Sequence, residues 1–139
     1  MIDFHFKSDL VLENITEYSD WIDRILVSEG YQLGQIDYIF CTDDELLKLN
    51  LEYLNHDTLT DIITFDYTMD KTISGDIFIS SDRVAENALA FEVDFQNELL
   101  RVMSHGVLHL MGYGDKTGEE KVQMREKEDE KIKMFHVEP

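Results

Sequence analysis

The sequence predicts an α+β fold: one domain with a small mixed β-sheet packed against helices. Three observations lead there. Short runs such as "IDFHF" and "TDIITFDYT" alternate or carry β-branched and aromatic residues, longer runs such as "NITEYSDWIDRILVSE" place apolar residues at helical spacing, and the chain order ends on three helices in succession. At 139 residues with 43% hydrophobic residues, one Pro and seven Gly, the composition is globular, and no repeat or linker divides it, so residues 1–139 are expected to form a single domain.

"IDFHF" reads as a half-buried strand that sets His5 on the face opposite Phe4 and Phe6, where it is a strand surface residue. From Asn14 to Glu29, the residues Ile15, Tyr18, Trp21, Ile22, Ile25 and Leu26 recur on one helical face, and Gly30 suits a left-handed cap beyond it. "QIDYIFCT" is a second strand. Thr42 with Glu45 forms a capping box that opens a helix through "ELLKLNLEYL". "TDIITFDYT" and "ISGDIFIS", joined by the turn-like "MDKT", read as a strand pair, with Gly75 marking a bulge or a close approach. Ser80 or Ser81 caps a helix through "DRVAENALAFEV", and Asp94 starts another through "ELLRVMSHGVLHLM" that Gly112 ends. Thr117 and Glu120 make a second capping box before "EEKVQMREKEDEKIKMF", which reads as a solvated terminal helix with one partly apolar face.

Composition also limits function. A formal charge of −18 repels phosphate backbones and anionic membranes at long range, so any RNA contact must rest on a local patch or on a metal. The single Cys41 lies in an apolar run and reads as a buried, inert thiol. The start, "MIDFHFKSDL", has no basic or long apolar leader segment, no window approaches a membrane span, and the expected location is cytoplasmic.

One segment does not read as packing. In "HGVLHLMGYGD" two of only five histidines, His105 and His109, stand one helical turn apart at the end of the penultimate helix, so both imidazoles can aim at one point. Gly112 lets the chain turn back so that Asp115 can reach the same point. The set is then a three-ligand site for one zinc ion with an open fourth position, the arrangement of catalytic zinc; structural sites usually have four ligands with cysteines. The plainer alternative is two ordinary helical histidines and an acidic cap, and the ordered spacing with Gly112 favours metal. In the zinc-protease pattern H-E-x-x-H the Glu is the general base; here Gly106 stands in its place, and no base is identified from spacing.

These residues resemble the YbeY family of metal-dependent endoribonucleases that mature ribosomal RNA, whose signature is H-G-x-L-H-L-x-G-Y-D-H. His105, Gly106, Leu108, His109, Leu110, Gly112 and Tyr113 match it, and "LNLEY", "TDIITF" and "GDIFIS" resemble the family's upstream segments, so the resemblance runs from about Leu49 to Asp115. It implies a zinc-dependent endoribonuclease specific for single-stranded RNA, acting in 16S rRNA maturation and ribosome quality control, with rRNA and a ribosomal subunit as partners and no DNA. Two departures stand out. Gly114-Asp115 stands where the family's motif ends in Asp-His, so a carboxylate fills the third ligand position, and Leu54 follows Tyr53 where the family has an Arg that can hold a phosphate. His56 is a candidate substitute for that Arg, Arg101 a candidate phosphate contact that can instead pair with Glu98, and Asp61 and Asp76 are acidic residues that more simply cap turns. Two other readings remain at this point: a metzincin-like hydrolase of a peptide or ester, against which Gly106 speaks, and a non-catalytic ribosome-associated factor, which Leu54 and the acidic surface favour.

Overall fold

A computed structural model of the chain describes residues 1–54 and 60–136, so His56 lies outside the described residues. Four strands, β1 (Ile2–Phe6), β2 (Gln32–Cys41), β3 (Ile62–Asp66) and β4 (Thr72–Ser80), form one mixed sheet in the order β1-β2-β4-β3. β1 and β4 flank β2 in parallel, and β3 pairs antiparallel to β4 across the short connection expected between them. The helices are α1 (Ile15–Ser28), α2 (Asp43–Leu54), α3 (Ser81–Ala90), α4 (Phe95–Leu110) and α5 (Gly118–Phe135).

Strand alternation divides the core in two. Ile36, Tyr38 and Phe40 of β2 and Ile73, Ile77 and Ile79 of β4 point to the side where α1 and α4 pack, with α5 against those two helices; the alternate residues Cys41, Ile63, Phe65 and Phe78 meet Leu46 and Leu49 of α2 in a smaller cluster on the other side. α1 shows why packing holds these helices: fourteen residues are marginal as an isolated helix, whereas Tyr18, Trp21, Ile22, Ile25 and Leu26 are all buried. At roughly 1.5–3 kcal/mol for each such side chain, tertiary burial outweighs the helix's own propensity to form.

α4 is fixed to the sheet by two features. The Tyr38 hydroxyl donates to the Met103 carbonyl at 2.9 Å inside the core. Gly106 lies against β3 and β4 so closely that an added Cβ would come within 2.9 Å of Ile77 and 3.0 Å of Ile62. Gly75 is likewise a close approach, its Cβ position 2.6 Å from the Phe65 carbonyl oxygen, while the extra residue of the bulge falls in β2 between Leu33 and Ile36. His5 is exposed beside Asp37, and Cys41 is buried with its pKa pushed up to about 12, first by burial and then by the Glu45 charge.

The expected helix starts and stops are present: Ser80 and Asp94 accept from the backbone as caps of α3 and α4, both capping boxes form, and Gly30 and Gly112 have φ of +80° and +99°. The last helix departs from expectation. α5 is not merely solvated: Met124, Glu128, Lys131 and Ile132 are buried against α1 and α4, and the Trp21 indole donates to the Lys131 carbonyl at 2.7 Å. Charged residues occupy two of the buried positions, which hides the apolar stripe in the sequence.

Candidate metal centre

The site forms where α4 ends. Gly112, in a conformation that disfavours side chains, lets two backbone bonds close the helix: Gly112 N–H to the His109 carbonyl at 3.0 Å and Tyr113 N–H to the Leu108 carbonyl at 3.1 Å. The chain thereby reverses, and the carboxylate of Asp115 lies 3.2 Å from Nε2 of both His105 and His109. These three residues are the group of His, Cys, Asp or Glu side chains among the described residues whose ligand atoms converge, all within 4.8 Å of one another.

The other imidazole nitrogens are both engaged. His105 Nδ1 is 2.6 Å from a Glu128 carboxylate oxygen, and His109 Nδ1 is 2.9 Å from the Tyr113 carbonyl. Both partners can only accept, so each Nδ1 carries a hydrogen, and a ring without a second proton turns the lone pair of Nε2 to Asp115. Three acceptors thus face one point with no donor among them, which is unfavourable unless a cation or protons supply positive charge. Ligands about 2.0–2.2 Å from a tetrahedral ion lie about 3.4 Å from one another, so the 3.2 Å separations suit a metal. The carboxylate and carbonyl behind the two rings are the supports that metal-binding histidines usually have. The pKa of His105 is raised: burial, the largest influence, opposes the charge, but Glu128, Asp115 and Asp61 together outweigh it.

The group opens on a cleft of about 660 Å³ between α2, α3, α4, α5 and β3. Arg101, Lys121 and Arg125 line it together with four carboxylates, so the cleft is close to neutral in a chain of charge −18. Arg101 is not paired with Glu98 as the sequence allows; its guanidinium donates to Glu128 at 3.0 Å and Asp129 at 2.8 Å, both on α5. Asp61 lies in the cleft near His105, its pKa raised chiefly by burial, while its backbone carbonyl accepts from Ser80. Asp76 is on the opposite sheet face, accepting from Tyr67, and takes no part. Leu54 is half-exposed on the cleft rim, where it supplies apolar surface. Gly106 turns its Cα toward the sheet, so the position that carries the base in H-E-x-x-H is filled here by helix-to-sheet contact.

Sequence reasoning missed Glu128. The available signal was a carboxylate at i+4 from Met124 and i−4 from Ile132, on the apolar stripe itself.

The profile of the family described as Endoribonuclease YbeY matches residues 5–136. The chain is 54% identical to Endoribonuclease YbeY of Flavobacterium johnsoniae over 138 residues, 99% of each chain, and 52% identical to Endoribonuclease YbeY of Flavobacterium psychrophilum over 137 residues, 99% of this chain and 98% of that one. The solution structure of TM1509 from Thermotoga maritima superposes with a TM-score of 0.72 at 27% identity, covering 97% of this chain and 89% of that one. The match therefore extends well beyond the stretch from Leu49 to Asp115.

Proposed function

The chain belongs to the YbeY endoribonuclease family, and from that membership we propose that it is a zinc-dependent endoribonuclease of single-stranded RNA, acting in the cytoplasm in 16S rRNA maturation and ribosome quality control on a ribosomal subunit. Family membership supports the endoribonuclease activity. The observation that supports the metal is the convergence of His105 Nε2, His109 Nε2 and an Asp115 oxygen as three acceptors around one point.

His105, His109 and Asp115, which line the cleft, would hold the ion. Zinc bound there supplies Lewis-acid chemistry, polarising a phosphoryl oxygen and acidifying a water molecule. The protein's own groups do the remaining work. Glu128 and the Tyr113 carbonyl hold the two histidines with Nε2 outward, and Lys121 and Arg125 offer positive charge to RNA phosphates. Arg101, already clamped by Glu128 and Asp129, stiffens the α4–α5 wall. Asp61 lines the same cleft as His105, and its carboxylate can take a proton from an attacking water.

The test is metal analysis of the purified protein together with cleavage of unstructured and duplex RNA. One zinc per chain, and cleavage of the single strand that a chelator abolishes and zinc restores, is the expected result. Undiminished cleavage by chelated protein or by His109→Ala would remove zinc from the mechanism; ribosome binding without any cleavage would favour the non-catalytic reading.

A further inference from the structure

Two helix ends meet behind the His109 side of the site, and they are built alike. α1 and α4 each stop on a glycine of positive φ, Gly30 and Gly112, and each is followed by a tyrosine whose backbone N–H closes the helix, Tyr31 onto Leu26 at 2.9 Å and Tyr113 onto Leu108 at 3.1 Å. Each tyrosine hydroxyl then crosses to the other helix's cap. Tyr31 donates to the Met111 carbonyl at 3.1 Å, and Tyr113 donates to Glu29 at 2.6 Å.

Glu29 is itself anchored. Its second oxygen accepts from Lys131 at 2.8 Å and from Lys127 at 3.0 Å, and Lys131, which has no exposed side-chain surface, also donates to Ser28 at 3.0 Å. A buried ammonium persists only with its partners in place, so α5 fixes the Glu29 carboxylate and the carboxylate fixes the Tyr113 ring. The backbone carbonyl of the same Tyr113 accepts from His109 Nδ1 at 2.9 Å.

We propose that the Glu29–Tyr113 contact is a positioning device for the metal centre, holding the Tyr113 carbonyl where it sets the tautomer and aim of His109. The inference rests on the metal reading above. Glu29 touches neither the ligand atoms nor the cleft; it acts through Tyr113. The competing explanation is that the Glu29–Lys131 pair only staples α1 to α5. The two differ when the pair is exchanged for apolar side chains, because a staple can be replaced by packing whereas an acceptor for the Tyr113 hydroxyl cannot.

The experiment measures zinc affinity by competition with a chromophoric chelator, alongside thermal unfolding of chelated protein, on the parent, on Tyr113→Phe and on the double variant Glu29→Met with Lys131→Met. The expected result is a loss of about tenfold to a hundredfold in zinc affinity in both variants, while the double variant unfolds at the parent's temperature or above it. Parental zinc affinity in Tyr113→Phe, or in the folded double variant, would overturn the positioning role. A parent that takes up no zinc would overturn the metal reading first and this inference with it, so the two failures are distinct.

Discussion

Asp115 stands, after Gly114, where the family signature ends in Asp-His. A carboxylate oxygen binds zinc at about the distance of an imidazole nitrogen, so Asp115→His keeps the coordination number while removing one negative charge. We expect Asp115→His to hold zinc and to cleave RNA at least as fast as the parent, and Asp115→Ala and His109→Ala to lose both, read as zinc stoichiometry and cleavage rate. Zinc held by Asp115→Ala as firmly as by the parent would show that Asp115 is not a ligand. Glu128 is the second decisive residue, since one carboxylate holds both His105 and Arg101. Glu128→Gln retains an acceptor for His105 Nδ1 but not the charge; zinc affinity should fall by about tenfold with the fold intact by circular dichroism.

At the scale of elements, α4 is the part on which the site depends, and two of its glycines have different tasks. Gly112 has open space around its Cα but a φ of +99°, so Gly112→Ala costs about 1–2 kcal/mol of backbone strain and disturbs the turn that returns Asp115 to the histidines. Gly106 has ordinary helical backbone but no space, so Gly106→Ala costs about 1–3 kcal/mol by pressing on Ile77 and Ile62. Similar drops in melting temperature are expected, with different consequences. Gly112→Ala should weaken zinc binding clearly, whereas Gly106→Ala displaces α4 with both histidines and should leave zinc affinity near the parent's. Equal zinc affinities in the two variants would contradict this division of roles.

Across the whole molecule, charge is the dominant feature, and its internal pairing makes stability depend on pH. The Glu29 pKa is lowered to about 2: burial, the largest influence, pushes it up, but Lys131, Tyr113 and Lys127 outweigh burial. A carboxylate depressed in the folded state contributes its full stabilisation above its unfolded pKa of 4.5 and loses it as pH falls toward about 2. In urea unfolding of chelated protein, Glu29→Gln should therefore be less stable than the parent at pH 7, with the gap closing between pH 4.5 and 2; a gap that stays constant over that window would mean the pair contributes by packing alone. RNA binding should show the complementary effect of a nearly neutral cleft on an acidic body. With at most three cleft cations available to phosphates, the slope of log K against log salt should be no steeper than about −2. Arg125→Ala should flatten it more than Arg101→Ala, because Arg101 is already committed to Glu128 and Asp129.

What local physics controls was legible along the chain. Alternation and helical spacing specify the strands and helices, Ser80, Asp94 and Thr117 specify where α3, α4 and α5 begin, and Gly30 and Gly112 specify where α1 and α4 stop. The spacing of His105, His109, Gly112 and Asp115 also predicts that two imidazoles and a carboxylate meet, because all of it lies within one helix end and its return. The surroundings of that set come from the packed fold alone. Glu128 and Lys131 look like members of a charged surface run and Glu29 like an ordinary helix-end acid, yet docking of α5 on α1 and α4 buries Glu128 and Lys131 and leaves Glu29 part-buried against them, so that each must find a partner. Burial of a charge is a property of the packed whole, and no stretch of chain carries the record of which neighbour will compensate it.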